Sequence, residues 1–410
     1  MAKKLVAKEQ PTAPKPVSVD EMVGAIRQVG DALGTQLSLR ELTTALRKLH
    51  DLQDVKLADG YDAERNEQHV ACLKKALQAA VTLEFATIPP YLSALWSIKD
   101  ELHPAAKSIR EVVQEEMLHM SLACNMLASL GGAPQFNTAV PQYPGGLPGG
   151  VHKGLTVGLV GLSKASLSAF LWIERPITQV PIEPPYAAGG DGDARKFSLE
   201  RLASDHPQDE TIGEFYDQIR NAFADHIADP KNPRLTTDKQ MTGPLAPTVI
   251  KDMDSVDYAI NLIQKQGEGS RNNPEEHKGD LSHYYRFLEL YNEEKYSWNS
   301  ELKKLEVVGK FEWPDVWPMA PVPAGGYQKD HVSPEVGHHL QMFDNTYSKL
   351  VDLLQGAWTD GGQNSLVDAY GVMFDLEWSA KALMQTRLPF GGGATYGPCW
   401  RYKASGDRSS

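Results

Sequence analysis

The chain has 410 residues, enough for one large domain or two ordinary ones with a well-buried core. With 41% hydrophobic and 23% charged residues it is neither wholly disordered nor fibrous. A net charge of −12 disfavours nucleic acid as a partner, and no apolar run approaches a membrane span, the stretch Leu155–Leu162 being far too short.

Residues 1–18 are rich in Lys, Ala and Pro without periodicity and read as a disordered tail. The opening Met1-Ala-Lys-Lys-Leu5 lacks an apolar signal core, so a cytoplasmic protein is expected. Cys72, Cys124 and Cys399 lie far apart with no CxxC, a reduced pattern without a disulfide frame or thiolate metal site. From Ser18 to about Leu57 apolar positions recur at helical spacing, and Ser38 followed by Glu41 predicts a capping box there.

The strongest helical signal runs from about Glu67 to Gly131. Val70, Leu73, Leu77, Ala80, Glu84, Ile88, Tyr91 and Leu95 form one stripe, which Pro89-Pro90 should kink rather than end. His103-Pro104 marks a turn into a second stripe of Ile109, Val112, Glu116, His119, Ala123, Leu127 and Leu130, closed by Gly131-Gly132. Beyond it, Gly131–Gly154 and Pro176–Gly192 read as long loops around a helical Lys164–Arg175. The loops 131–160 and 176–208 would cover a pocket and select its substrate. Helical patterns return at Thr211–Ile227, Ser255–Gly267, Leu281–Lys304, Pro334–Gly356 and Leu366–Arg387. The chain reads as all-α, with a tail over 1–18, a helical extension over 19–65, a bundle over 66–305 and C-terminal helices over 306–410.

Three ionisable groups occupy apolar positions: Glu84 on the first stripe, Glu116 and His119 on the second. A buried carboxylate needs a cation, a hydrogen-bond donor or a proton. The i, i+3 spacing sets Glu116 and His119 side by side on one helix face. Rises of about 22 Å from Glu84 to the turn and about 18 Å back to Glu116 bring all three to one level of an antiparallel pair. A Glu on one helix and Glu-x-x-His on the next is half of the carboxylate-bridged dimetal pattern of four-helix bundles, and oxygen and imidazole donors suit iron or manganese. For the second half, Asp280-x-x-His283 supplies an acid and an imidazole, with Glu268 competing for the acid role. Glu214 is a further candidate, although Thr211 and Glu214 also form a capping box and Glu214 lies opposite the apolar face of its helix. Glu174 is expected to pair with Arg175 or Arg286, and His338-His339 to be ordinary surface or core histidines. Arg286 could clamp a substrate carboxylate, and Tyr91 and Tyr216 could line a pocket beside the metals.

The runs Leu83-Glu84-Phe-Ala-Thr-Ile-Pro-Pro-Tyr-Leu92, Glu115-Glu-Met-Leu-His119, Leu130-Gly-Gly-Ala-Pro134, Phe170-Leu-Trp-Ile-Glu174, Thr211-Ile-Gly-Glu-Phe-Tyr216, Gln266-Gly-Glu-Gly-Ser270 and Ser282-His-Tyr-Tyr-Arg-Phe287 resemble the ferritin-like iminophenyl-pyruvate dimer synthase family. That family is related to the ferritin-like part of violacein- and rebeccamycin-type coupling enzymes, and the resemblance extends from about Asn66 to Tyr402. It implies a ferritin-like four-helix bundle whose metal-facing set is Glu84, Glu116, His119, Glu214, Glu268 and His283, with catalysis centred on Glu84, Glu116 and His119. It implies one or two non-haem iron ions, with manganese as the alternative, dioxygen as co-substrate and an amino-acid-derived or aromatic substrate of specialised metabolism. The expected partner is that small molecule, with no nucleic acid and no membrane, and a homo-oligomer is left open. The chain is short beside the coupling enzymes and lacks their large additional region. A ferritin-like metal-binding protein without an organic substrate is the alternative reading.

Overall fold

The computed structural model describes residues 24, 38–51, 61–150, 155–176, 182–183, 211–246, 248–267, 273–277, 279–328, 331–389 and 392–408. The tail over 1–18, most of the loop over 176–208 and Glu268 lie outside the described residues.

Helix α1 (Leu39–Asp51) starts at the expected capping box: the Ser38 amide donates to Glu41 Oε2 at 2.7 Å, and the Glu41 amide to Ser38 Oγ. Helix α2 (Tyr61–Trp96) continues through Pro89-Pro90. Pro90 has no N–H to give Ala86, and the Tyr143 hydroxyl donates to the Ala86 carbonyl instead, at 2.6 Å. A short turn leads to α3 (Pro104–Ser129), which has proline at its start and stops at Gly131, whose φ of 70° is the left-handed conformation glycine adopts without strain. Every residue of α3 from Met120 to Ser129 is buried, so this helix lies at the centre of the molecule.

Helices α4 (Lys164–Ile173) and α7 (His283–Asn292) pack on one another and on the α2–α3 hairpin, completing a four-helix arrangement. A second hairpin, α5 (Ile212–Ala228) and α6 (Met253–Gly267), lies against α2 and α3. The Thr211–Glu214 capping box is formed at the start of α5. Helices α8 (Pro334–Ala357) and α9 (Gly362–Gln385) make a C-terminal hairpin, with α9 in contact with α2. Asn125 on α3 couples the two parts: its Oδ1 accepts from Trp358 Nε1 and Met241 N, and its Nδ2 donates to the carbonyls of Met241 and Thr248, all near 3 Å.

One expected element differs. The helix predicted over Leu281–Lys304 ends at Asn292, where Glu293 turns left-handed with φ 57°. The chain then forms an antiparallel hairpin of β4 (Glu294–Asn299) and β5 (Lys304–Lys310), with Trp298 opposite Leu305, and β1 (Ile182–Glu183) adds to β5 in parallel. A two-stranded pair, β2 (Glu275–His277) and β3 (Asp280–Leu281), precedes α7. Among the described residues no helix is long and apolar enough to cross a membrane.

Candidate metal centre

Four elements bring ionisable side chains to one buried point. Helix α2 supplies Glu84, α3 supplies Glu116 and His119, the residue ending α4 supplies Glu174, and the first residue of α7 supplies His283. All five are between 0% and 5% exposed. Their ligand atoms fall into two groups, Glu84–Glu116–His119 and Glu116–Glu174–His283, each within 4.8 Å. Glu116 belongs to both.

Each carboxylate has one oxygen tied by a hydroxyl and one left facing the centre. Tyr216 donates to Glu84 Oε1 at 2.6 Å, Tyr91 to Glu174 Oε1 at 2.5 Å, and Thr87 to Glu116 Oε2. The remaining oxygens approach the imidazoles: Glu84 Oε2 and Glu116 Oε1 each lie 3.7 Å from His119 Nδ1, and Glu174 Oε2 lies 3.5 Å from His283 Nδ1. The two rings stack with centroids 5.5 Å apart. Each ring is oriented through its other nitrogen. His119 Nε2 meets Gln266 Oε1 at 2.9 Å, and His283 Nε2 meets Glu115 Oε2 at 2.8 Å, so in both cases Nδ1 is the atom turned to the centre.

This donor set fits metal. Three carboxylates packed this closely and away from water repel one another unless a cation or shared protons intervene. Burial and the neighbouring Glu174 push Glu116 up to about 7. Burial alone would lower both histidines, but the carboxylates of Glu84 and Glu116 around His119, and of Glu174, Glu115 and Glu116 around His283, raise both above their ordinary value. Burial, and then the adjacent carboxylate, pushes the Tyr91 and Tyr216 phenols well up, so both remain donors. Buried His283 Nδ1 lies 2.9 Å from Glu116 Oε1, a contact between a ring nitrogen and a carboxylate oxygen that needs a proton or a cation between them. Oxygen and imidazole donors without sulfur suit iron or manganese. The cavity between them is about 20 Å³, the space of a water or an ion, and is bordered by Ile173, Gly213 and Gly267.

Several expected site residues are placed elsewhere. Glu214 is outside both groups: its carboxylate accepts from the Thr211 amide at 3.1 Å as a helix cap, which corrects its reading as a ligand. Arg286 is committed to Glu276 at 2.8 Å, to Glu115 and Glu111 at 3.5 Å, and to the Leu281 carbonyl, which replaces the substrate clamp by a buried ion-pair network. Tyr91 and Tyr216 hold carboxylates of the centre. Asp280 is exposed on β3, and Glu268 lies outside the described residues. Glu174, expected to pair with arginine, instead joins the centre. It follows Phe170 by four positions and Leu171 by three, both buried, so the signal that marks Glu84 marks it equally. Glu115 and Gln266, which orient the imidazoles, leave no comparable trace in the sequence.

A family model described as Ferritin-like matches residues 77–292, more than half of the chain and every residue of the cluster. No curated protein matches it. Among solved structures it is similar to a ferritin-like protein from Caulobacter vibrioides, with a TM-score of 0.52 and 22% identity, covering 81% of this chain and 97% of that one. At that identity the likeness is one of fold.

Proposed function

The chain belongs to the ferritin-like family, and from that premise we propose that it is a non-haem diiron oxidoreductase that uses dioxygen. The observation that carries this reading is that the two buried ligand groups share Glu116, as the dimetal pattern of four-helix bundles would require of a carboxylate between two ions. Glu84 and His119 would complete one ion's protein ligands, and Glu174 and His283 the other's. Iron held there would supply the reduction of dioxygen coupled to oxidation of a bound organic molecule. The chain's own contribution is to fix the donors. Tyr216, Tyr91 and Thr87 each hold one carboxylate oxygen so that the other is presented, and Gln266 and Glu115 hold the ring protons away from the centre. Burial on all sides keeps bulk water out.

An amino-acid-derived or aromatic substrate, as in the iminophenyl-pyruvate dimer synthase type, is supported by the motifs around Leu83–Leu92 and Ser282–Phe287. The confined space at the centre, about 20 Å³, favours a second reading, a ferritin-like metal-binding protein without an organic substrate. Oxygen uptake that depends on an added aromatic amino acid or its imine would decide for the enzyme; uptake by the Fe(II) protein alone would decide for the second.

Anaerobic loading with Fe(II) followed by metal analysis tests the centre itself. About two irons per chain are expected. Glu116→Ala should lose both, whereas Glu84→Ala and Glu174→Ala should each lose about one, with helix content by circular dichroism near the parent's. Full iron in Glu116→Ala would overturn the assignment.

A further inference from the structure

A second and much larger cavity lies on the other side of the α2–α3 hairpin, between it and the C-terminal hairpin α8–α9. Its volume is about 690 Å³, within the range of about 300–1,000 Å³ typical of small-molecule sites. The wall is overwhelmingly apolar, with Phe85, Ile88 and Leu92 from α2, Met117 from α3, Leu350 from α8 and Met373 from α9. Helical periodicity separates it from the metal centre: Glu84, Thr87 and Tyr91 face one way, and Phe85, Ile88 and Leu92 the other.

Two of the polar groups in this wall are left unsatisfied. Tyr347 and Tyr370 both line the cavity, and the hydroxyl oxygen of each is buried with no hydrogen-bond partner among the described residues. Tyr347 is 1% exposed, with its ring stacked on Phe85 and edge-on to Trp400. A buried hydroxyl without a partner is destabilising, so two beside one cavity point to something that satisfies them. Burial pushes both phenols above their ordinary value, so each remains a donor and seeks an acceptor. The charged groups of the wall are already engaged. Glu115 bonds His283, Glu377 pairs with Lys381 at 2.7 Å, and Arg110 donates to the Glu101 carbonyl. Among the described residues Arg110 is the cation of the wall, set against the carboxylates of Glu115 and Glu377, so the lining has no net positive charge to hold a carboxylate.

We propose that the cavity between α2–α3 and α8–α9 is a binding site for a neutral, largely apolar molecule, whose carbonyl or ether oxygen accepts from Tyr347 and Tyr370. Entry is from the side of α9, where Phe374 of the wall is 77% exposed. The site is separate from the metal ligands and needs no metal to bind.

The test uses the full chain and prodan, a neutral fluorescent naphthyl ketone, beside its analogue 2-dimethylaminonaphthalene, which lacks the carbonyl. Prodan should bind at about one per chain with emission shifted to the blue, as an apolar site demands. Leu350→Trp, which fills the cavity, should weaken prodan about ten-fold or more. Tyr347→Phe, a change too small to unfold the chain, should weaken prodan about five-fold and leave the analogue unchanged, while iron content stays at the parent's level. The proposal is overturned if Leu350→Trp, folded by circular dichroism, binds as the parent does, or if Tyr347→Phe affects ketone and analogue alike. It is also overturned if prodan is excluded as protein concentration rises and Phe374→Glu restores both binding and a monomer, since a second copy would then be the occupant.

Discussion

Within the cluster, every donor atom is selected by a neighbour that takes the alternative atom. The two imidazoles differ in this respect: His119 leans on the neutral amide of Gln266, whereas His283 leans on a carboxylate. Burial would raise Glu115, but His283 and then Arg286 outweigh it and hold it below its ordinary value. Glu115→Ala should therefore lower affinity for the ion at Glu116–Glu174–His283 about ten- to a hundred-fold, leaving the Glu84–Glu116–His119 ion nearly unchanged. Glu115→Gln, which keeps an acceptor, should recover most of the loss. Anaerobic Mn(II) titration followed by electron paramagnetic resonance reads the two steps, and equal weakening of both would contradict the role. Glu84, Glu116, His119 and His283 stand out in the sequence because ionisable groups interrupt apolar stripes. Glu174 carries the same mark, but its neighbour Arg175 offers a simpler partner on paper. Glu214 reads both ways: its helix face argues for a cap, which its side chain forms, and the family pattern argues for a ligand.

Single elements were legible where their signals are local. The capping boxes at Ser38 and Thr211, the proline start of α3 and its glycine stop all act within a few residues. The β4–β5 hairpin was not, because the stripe through Phe287 and Leu290 extends at helical spacing past Asn292. What breaks it is the left-handed Glu293 together with the sheet partners supplied by β5, neither of which a period of 3.6 registers. Nor does any local signal reveal that Asn125, near the C-terminal end of α3, ties the bundle to the 241–248 segment and to α8. Asn125→Ala would strand the Trp358 indole N–H, the Met241 amide and two carbonyls in the interior. At about 1–3 kcal/mol for each stranded group, partly relieved by water, a loss of about 3–5 kcal/mol is expected in urea denaturation. A loss below about 1 kcal/mol would show that the C-terminal hairpin docks without it.

For the molecule as a whole, acid sensitivity should come from histidines outside the carboxylate–imidazole cluster. His69 on α2 and His226 on α5 are buried; burial lowers both, only partly offset by their bonds to the carbonyls of Ala222 and Pro233. The unfolded chain takes up these protons at about the ordinary 6.5, before the folded chain does. Their contribution to stability is therefore intact above that value and lost as pH falls below it. In urea denaturation, His69→Gln, whose amide can still donate to Ala222, should lose less stability than the parent between pH 7.5 and 5.5, and parallel losses would exclude His69 as a cause. The helical bundle and its added C-terminal helices were foreseeable from periodicity, but their mutual placement was not, since it depends on contacts between segments hundreds of residues apart. The waist of α2 shows what such distant contacts control. With two amide donors withdrawn by Pro89 and Pro90, the rod is not fully braced from within, and a phenol from the stretch beyond α3 acts as an outside latch on the Ala86 carbonyl. Ala86 stands between Glu84 and Thr87, so the pitch of the helix at the centre, and with it the spacing of the donors, is set in part by a loop that contributes no ligand.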